Sequence, residues 1–485
     1  MRDHHGADRA TGLSRWPLVA GIFWTVTGLL VGHATAWGAP LFGEPRSYPV
    51  GTSPLALVTG EFNQLTGLDL ATADEGNTVT ILSNLGNGVF EAERAGRIGV
   101  DERFTTTGMV SGSFNTDPVT DFALSADDSE SFPDFNGALV IYRSNTVAPF
   151  RYGRIAVPVG LFPTCVTAGD FTGDGLVDLA SCGTDTDGAG LVSVVRRTSP
   201  TAFSQVADNI VVGAVVPNRL VPADVDADGR NDLLVIDTDG NTVYCMYGRT
   251  SGALFDPPVV VASVDTPTAV VAAQFSSDGL PDVAISSRNA GRVMVLRQVN
   301  PRVFDTAVPH QVGINPADLG VADFNNDRNL DLVVANNGSN SVTLLTGRGD
   351  ATFATGETVP VGMGPIAIVA GDFNGDSKPD FATADQDDET FGSDTQRVSV
   401  VLNGVSPAFT PTPTPTPTRT VRRTSTPTPS PTPAGPGDKN CDGRIDQNDI
   451  TTIINRVFDG VSGCVSGVVR AANITMTIQQ VVASR

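Results

Sequence analysis

Histidine is scarce in this sequence. Of four in 485 residues, His4, His5 and His33 fall within the first 39 positions, which leaves His310 alone in the remainder. A histidine-based catalytic triad or a histidine-ligated zinc therefore has almost nothing to be built from. Basic residues are also few, 31 Lys and Arg against 53 Asp and Glu, and a net charge of −22 argues against nucleic acid as a partner. Beyond residue 39 no stretch is apolar enough to span a bilayer. Helix-period segments are rare; β-rich runs broken by frequent turn residues indicate an all-β chain. The abundance of Asp leaves a carboxylate pair for glycoside hydrolysis open, since a fold does not fix a function.

Aspartate, by contrast, is patterned. Asp-x-Asp-x-Asp-Gly-x-x-Asp is complete at Asp224, Asp226, Asp228 and Asp232, and graded copies begin at Glu61, Ser113, Asp170, Gln274, Asp323 and Asp372. The seven copies are spaced by 52, 57, 54, 50, 49 and 49 residues, a period that signals propeller blades. Oxygens at positions one, three, five and nine of such a loop converge on one point, and hard oxygen ligands suit Ca²⁺. Four loops are expected to be filled: Asp170, Thr172, Asp174 and Asp178; the four-carboxylate loop of Asp224; Asp323, Asn325, Asp327 and Asp331; and Asp372, Asn374, Asp376 and Asp380. Occupancy should fall at Asn115, Asp117 and Asp121, then at Asp278 and Asp282, each with only two carboxylates, and further at the first copy, where Leu65 replaces a ligand. Asp, Asn and Gly also favour turns without any metal, and it is the recurrence in register that argues for an ion.

Residues 1 to 39 carry Arg2, Arg9 and Arg15, an apolar run from Trp16 to Val31, and small-residue exits at Ala34-Thr35-Ala36 and Ala36-Trp37-Gly38-Ala39. This reads as a secretory signal peptide; the competing reading, an uncleaved anchor, meets a run shorter than the ~20 residues a spanning helix prefers. Cleavage removes three Arg and two Asp and leaves a net charge of −23. Repulsion among the loop carboxylates should then make folding depend on calcium, which is plentiful outside cells. Export permits disulfides: Cys165 and Cys182 flank the third loop and could face one another across the strands it joins, Cys441 and Cys464 could form a second pair, and Cys245 is left over as a buried small side chain.

Each unit reads as strand, acidic loop, strand, polar turn, strand, hairpin ending in Phe, then a fourth strand; Ile366 to Ala370, Asp380 to Ala384 and Val398 to Leu402 are examples. Seven such units make a seven-bladed β-propeller spanning residues 40–409. Internal blades run from the hairpin Phe to a Gly nine residues on, as in Phe353 to Gly362 and Phe304 to Gly313, whereas Phe409 runs into Thr-Pro repeats. Phe42 and Gly51 show the same spacing near the start, so the segment Phe42 to Val50 is the expected missing outer strand of the last blade.

These repeats resemble the FG-GAP, or VCBS-type, repeats of integrin alpha-subunit propellers and secreted bacterial proteins, best at Gly371-Asp372-Phe373-Asn374-Gly375-Asp376 and Leu344 to Phe353. The resemblance implies structural calcium hairpins on one face and partner binding on the other. On that other face two long acidic turns, Asp127, Asp128, Glu130 and Asp134, and Asp385, Asp387, Asp388, Glu389 and Asp394, are candidates for a recognition surface, with solvated insertions as the alternative. Arg348-Gly349-Asp350 falls at a hairpin and reads as turn chemistry.

Residues 410–436 alternate Thr and Pro around Arg419, Arg422 and Arg423, a stiff spacer that could reach ~80 Å. Residues 437–485 open with Asp438, Asn440, Asp442, Arg444, Asp446 and Asp449 at EF-hand spacing, ahead of helical apolar spacing from Ile450 to Phe458. With Asp449 at the last position this small helical module resembles a dockerin repeat, which implies a cohesin-like scaffold as partner; its second half, Gly463 to Arg485, has no acidic loop. The expectation is a monomeric, secreted, calcium-binding propeller that binds an extracellular protein or carbohydrate ligand. The alternative is a polysaccharide-processing enzyme or accessory protein that docks through its tail.

Overall fold

Among the described residues the alternation of short β-rich runs with tight polar loops builds seven antiparallel blade sheets and one small two-stranded hairpin in blade five. The computed structural model describes residues 40–404 except 64, 66, 76, 100–103, 129–136, 145–151, 185–187, 200–201, 206–209, 213–216 and 387–395. The chain divides into two units, 1–409 and 410–485, and all described residues belong to the first. The signal segment, the Thr-Pro spacer and the dockerin-like module lie outside the described residues.

The blades occupy residues 54–99, 104–158, 161–211, 217–263, 267–311, 316–360 and 365–401. Six sheets have four strands; in the third the outer strand is split into Ala202–Gln205 and Ile210–Val211, both paired with Gly190–Ser199. Blade six shows the plan: Pro316–Ala322 pairs with Asp331–Asn336, that with Ser341–Gly347, and that with Phe353–Pro360. First strands of successive blades touch one another all the way round, including the first against the seventh, so they line the axis of a closed ring. Second strands are covered on both faces by neighbouring blades, which explains continuous apolar runs such as Leu233-Leu234-Val235-Ile236, each fully buried. No helix among the described residues is long and apolar enough to cross a membrane.

The ring closes as the N-terminal spacing implies. Arg46–Pro49 pairs with Arg397–Val401 as the outer strand of blade seven, Tyr48 opposite Val398. Phe42 bridges to Asn403 and is 4% exposed, wedged edge-on against Phe324 and Phe381. The recurrent glycine has a plain cause: a Cβ at Gly51 or Gly362 would run into the carboxyl group of Asp74 or Asp385.

Cys165 and Cys182 are directly opposite in the register and form a disulfide, with Cα atoms 5.3 Å apart. Cys245 is free and buried. Cys441 and Cys464 lie outside the described residues. His310 sits in the outer strand of blade five, packed edge-on against Phe353.

Because closure rests on one short segment, truncation should act on the whole ring. Phe42→Ala is expected to cost about 3–5 kcal/mol, and deletion of residues 40–50 to lower the melting temperature by roughly ten degrees or more. An unchanged calorimetric melt for the deletion would contradict closure by this strand.

Candidate metal centres

The ninth position of the loop is Asp in all seven copies, and all seven are fully buried: Asp69, Asp121, Asp178, Asp232, Asp282, Asp331 and Asp380. Their oxygens divide two tasks. One, Oδ2, accepts the backbone N–H of position two: Phe62, Phe114, Phe171, Val225, Phe324 and Phe373, at 2.7 to 3.1 Å. Blade five is shifted by one residue, with Ser276 N–H donating to Asp282 at 2.8 Å. The other oxygen, Oδ1, accepts an N–H near the end of the third strand, from Asn84, Ser144, Arg197, Gly248, Gln298, Gly347 and Asn403, at 2.6 to 2.8 Å. Each carboxylate thus ties the start of its loop to the far side of its own blade, without any ion.

The loops also join the blades. Side chains of Asn84, Gln298 and Asn403 donate to the position-two carbonyls of Phe373, Val225 and Phe324 in the preceding blades, at 2.6 to 2.8 Å. The buried Arg197 guanidinium donates to the Ser113 and Asn115 carbonyls, both at 2.9 Å. Asn231 donates to the Asp170 carbonyl at 3.2 Å, and the N–H groups of Thr120 and Ala351 to the Glu61 and Phe275 carbonyls. Every junction of the ring is therefore crossed by a hydrogen bond to an acidic loop.

Position one supports the turn. Asp224 accepts N–H bonds from Asp228 and Gly229, Asp323 from Asp327 and Arg328, Asp372 from Gly375, Asp376 and Ser377, and Asp170 from Gly173, Asp174 and Gly175. Position five accepts the N–H two residues on, as Asp174 from Leu176, Asp228 from Arg230, Asp327 from Asn329 and Asp376 from Lys378. Only the fourth loop brings three carboxylates together among the described residues: single oxygens of Asp224, Asp226 and Asp232 lie within 4.8 Å of one another. Asp228 stays outside that group. Asn325 and Asn374 stand at position three in blades six and seven, where their Oδ1 atoms accept N–H bonds from Asp327 and Asp376. At the same position the buried hydroxyl of Thr172 faces Asp174 and Asp178, and that of Ser276 faces Asp278 and Asp282. The donor set is hard oxygen throughout and fits a calcium ion, with position nine contributing to an ion only while it also holds the backbone.

The weaker copies are closed by other means. In blade two the Ser144 hydroxyl, 2.7 Å from both Asp117 and Asp121, lies between two expected ligands, and Asn115 donates to Asp117 at 2.8 Å. In blade one Asn63 reaches Asp69 at 3.3 Å and Leu65 turns its N–H to Asn63. Asp278 of blade five pairs with Arg297 at 3.0 Å. Asp438, Asn440, Asp442, Arg444, Asp446 and Asp449 lie outside the described residues.

On the opposite face one expected recognition residue is corrected. Asp385 is 2% exposed and accepts the hydroxyls of Thr383 and Ser399 at 2.8 and 2.6 Å, so it pins strands rather than meeting a ligand. Asp127 and Asp128 end the second strand of blade two, and Glu130, Asp134, Asp387, Asp388, Glu389 and Asp394 lie outside the described residues. Within the described part of that face is a basin of about 420 Å³, lined by the starts of first strands and by turns after second strands. Asn218, Thr238, Arg288, Asn315, Asn337 and Gln386 give it a polar wall, and Arg219 reaches from blade four to Asp318 of blade six at 2.6 Å. A second cleft, of about 340 Å³, lies between the acidic loops of blades three and four.

Burial pushes Asp232 and Asp331 up to about 6 and Asp380 to about 7. It raises Asp121, Asp178 and Asp282 as well. Hydrogen bonding from Arg196 holds Asp174 below the usual carboxylate range. A carboxyl group whose folded value exceeds its unfolded value takes up protons on folding, so metal-free stability falls as pH rises from about 4 to 7. Calcium favours the ionised form and opposes that fall. In chelator the melting temperature should drop between about pH 5 and pH 7.5, and the gain from added calcium should be larger at the higher pH. Equal calcium protection at both pH values would contradict this.

A family model described as FG-GAP-like repeat matches residues 224–285 and 323–383. No curated protein matches the sequence. Among solved structures the chain is similar to BBS1N in complex with ARL6DN, at 14% identity and a TM-score of 0.50, covering 74% of this chain and 97% of that one. It is also similar to hydrazine synthase of Kuenenia stuttgartiensis, at 13% identity and 0.46, covering 73% and 97%. A third is virginiamycin B lyase from Staphylococcus aureus, at 9% and 0.44, covering 74% and 99%. At these identities the likeness concerns the fold alone.

Proposed function

We propose that this chain is an exported, calcium-stabilised propeller carrying FG-GAP-like repeats, which binds an extracellular protein or carbohydrate on the face opposite its acidic loops. The observation that carries the reading is the contrast between the faces. On one, the carboxylates are engaged in holding backbone; on the other, amides, hydroxyls and the exposed Arg288 surround an open basin. Convergent polar groups in a concavity are what ligand recognition needs. The Cys165–Cys182 disulfide is compatible with an oxidising compartment. In this reading the Thr-Pro spacer and the EF-hand-like tail carry a second, separate contact with a cohesin-like scaffold.

A panel of extracellular proteins and polysaccharides, assayed together for pull-down and for release of reducing ends, tests this. Retention without release is expected. Arg288→Ala combined with Asn337→Ala should weaken retention by about tenfold or more, while Asp372→Asn at saturating calcium leaves it unchanged. Release of sugar ends, or retention indifferent to the basin, would overturn the reading.

A further inference from the structure

Three loops already carry a cation that the chain itself supplies. In blades three and five it is Arg196 on Asp174, at 2.8 Å, and Arg297 on Asp278, at 3.0 Å, with both partners of each pair open to solvent. Exposed pairs of this kind are weak and easily displaced. Blade four is different.

Arg302 stands between the hairpin strands Gln298–Asn300 and Val303–Phe304 of blade five and reaches back to Asp226, position three of the fourth loop. Its Nε and Nη2 both lie 2.7 Å from Asp226 Oδ2, and Nη1 lies 3.1 Å from Asp256. The guanidinium also covers the Tyr247 ring, Cζ 4.0 Å from its centroid. Its own N–H donates to Gln298 Oε1 at 2.6 Å, while Gln298 Nε2 is bonded to the Val225 carbonyl inside that loop. Asp226 is only 5% exposed, and its other oxygen accepts the Asp228 N–H at 3.2 Å. A φ of +65° at Arg302 is a left-handed conformation that a non-glycine residue keeps only when its surroundings hold it there.

The register supplies the comparison. Arg196, Tyr247 and Arg297 each precede the residue whose N–H meets position nine; in blades six and seven that place is taken by Thr346 and Leu402. Among the described residues no ion pair reaches Asp323, Asp327, Asp372 or Asp376. With Nε and Nη2 both on Asp226 Oδ2, a divalent ion there would meet a like charge at the oxygen it must use. Resting on the calcium reading above, we infer that Arg302 is the resident cation of the blade-four loop. The copy richest in carboxylates then takes calcium after the loops of blades six and seven, in competition with the guanidinium on Asp226. Ligand charge alone gives the opposite order.

Calcium titration of the chelator-stripped chain of residues 40–485, by calorimetry and by near-ultraviolet circular dichroism, decides the matter. Trp16, Trp24 and Trp37 all precede residue 40, so tyrosine dominates the near-ultraviolet signal and Tyr247 contributes to it. Asp323→Asn and Asp372→Asn should each remove a tight site, while Asp224→Asn leaves the tight sites intact. Arg302→Gln should tighten the fourth site by about tenfold or more, which corresponds to about 1.4 kcal/mol; Asp224→Asn in that background should abolish the gain. Arg302→Lys, which keeps the charge but not the fork, should fall between them, and a cooperative melt in chelator verifies that each variant folds. A tight site lost with Asp224→Asn alone, or an isotherm unaltered by Arg302→Gln, overturns the inference and leaves the calcium reading standing. Absence of calcium binding at every loop overturns the calcium reading itself.

Discussion

A buried carboxylate shared between two backbone N–H groups is the constraint on which this ring depends. Position nine supplies it in every blade, and in every blade its oxygens point to the loop on one side and to the end of the third strand on the other. Burying seven such groups is costly unless each is hydrogen-bonded, and each is. The same bonds turn the position-two carbonyl outward, where the neighbouring blade can donate to it; Asn403 on Phe324 does this between blades six and seven, and Asn84 on Phe373 across the closure. Local turn geometry and ring assembly are thus one device.

In the proposed reading a metal ion would be added to that device. Where the ligand set has decayed, other groups stand in: the Ser144 hydroxyl in blade two, Asn63 in blade one, Arg297 in blade five. The blades keep their form because what decayed is positions one, three and five, and what persists is position nine. In the proposed reading an ion added to such a loop would displace the proton from carboxylates that burial has raised, so calcium would modulate stability while recognition is left to the opposite face.

Much of the fold was legible in the sequence for a simple reason. The acidic loop recurs at nearly constant spacing, so the blade count, the strand order and the outer strand missing after Phe409 all follow from register. The pairing of Cys165 with Cys182 could be read because both flank one loop. Less visible were contacts whose partner lies in another blade: Arg302 on Asp226, or Gln298 on Val225, join residues more than a blade apart in sequence. Asp385 misled because an acidic cluster looks like surface, whereas a Gly at 362 and hydroxyls at 383 and 399 make room for a buried carboxyl group there. A signal for the position-nine role was present, since that Asp is the one acidic residue common to all seven copies and Phe stands at position two in six of them.

Amide hydrogen exchange in chelator tests the shared carboxylate most directly. The account predicts slow exchange at the N–H groups of Phe62, Phe114, Phe324 and Phe373 alike, and at Asn84, Ser144, Gly347 and Asn403, with blades one and two protected as well as blades six and seven. Fast exchange at these groups in chelator, with protection appearing only on calcium addition and only in blades with full ligand sets, would contradict it.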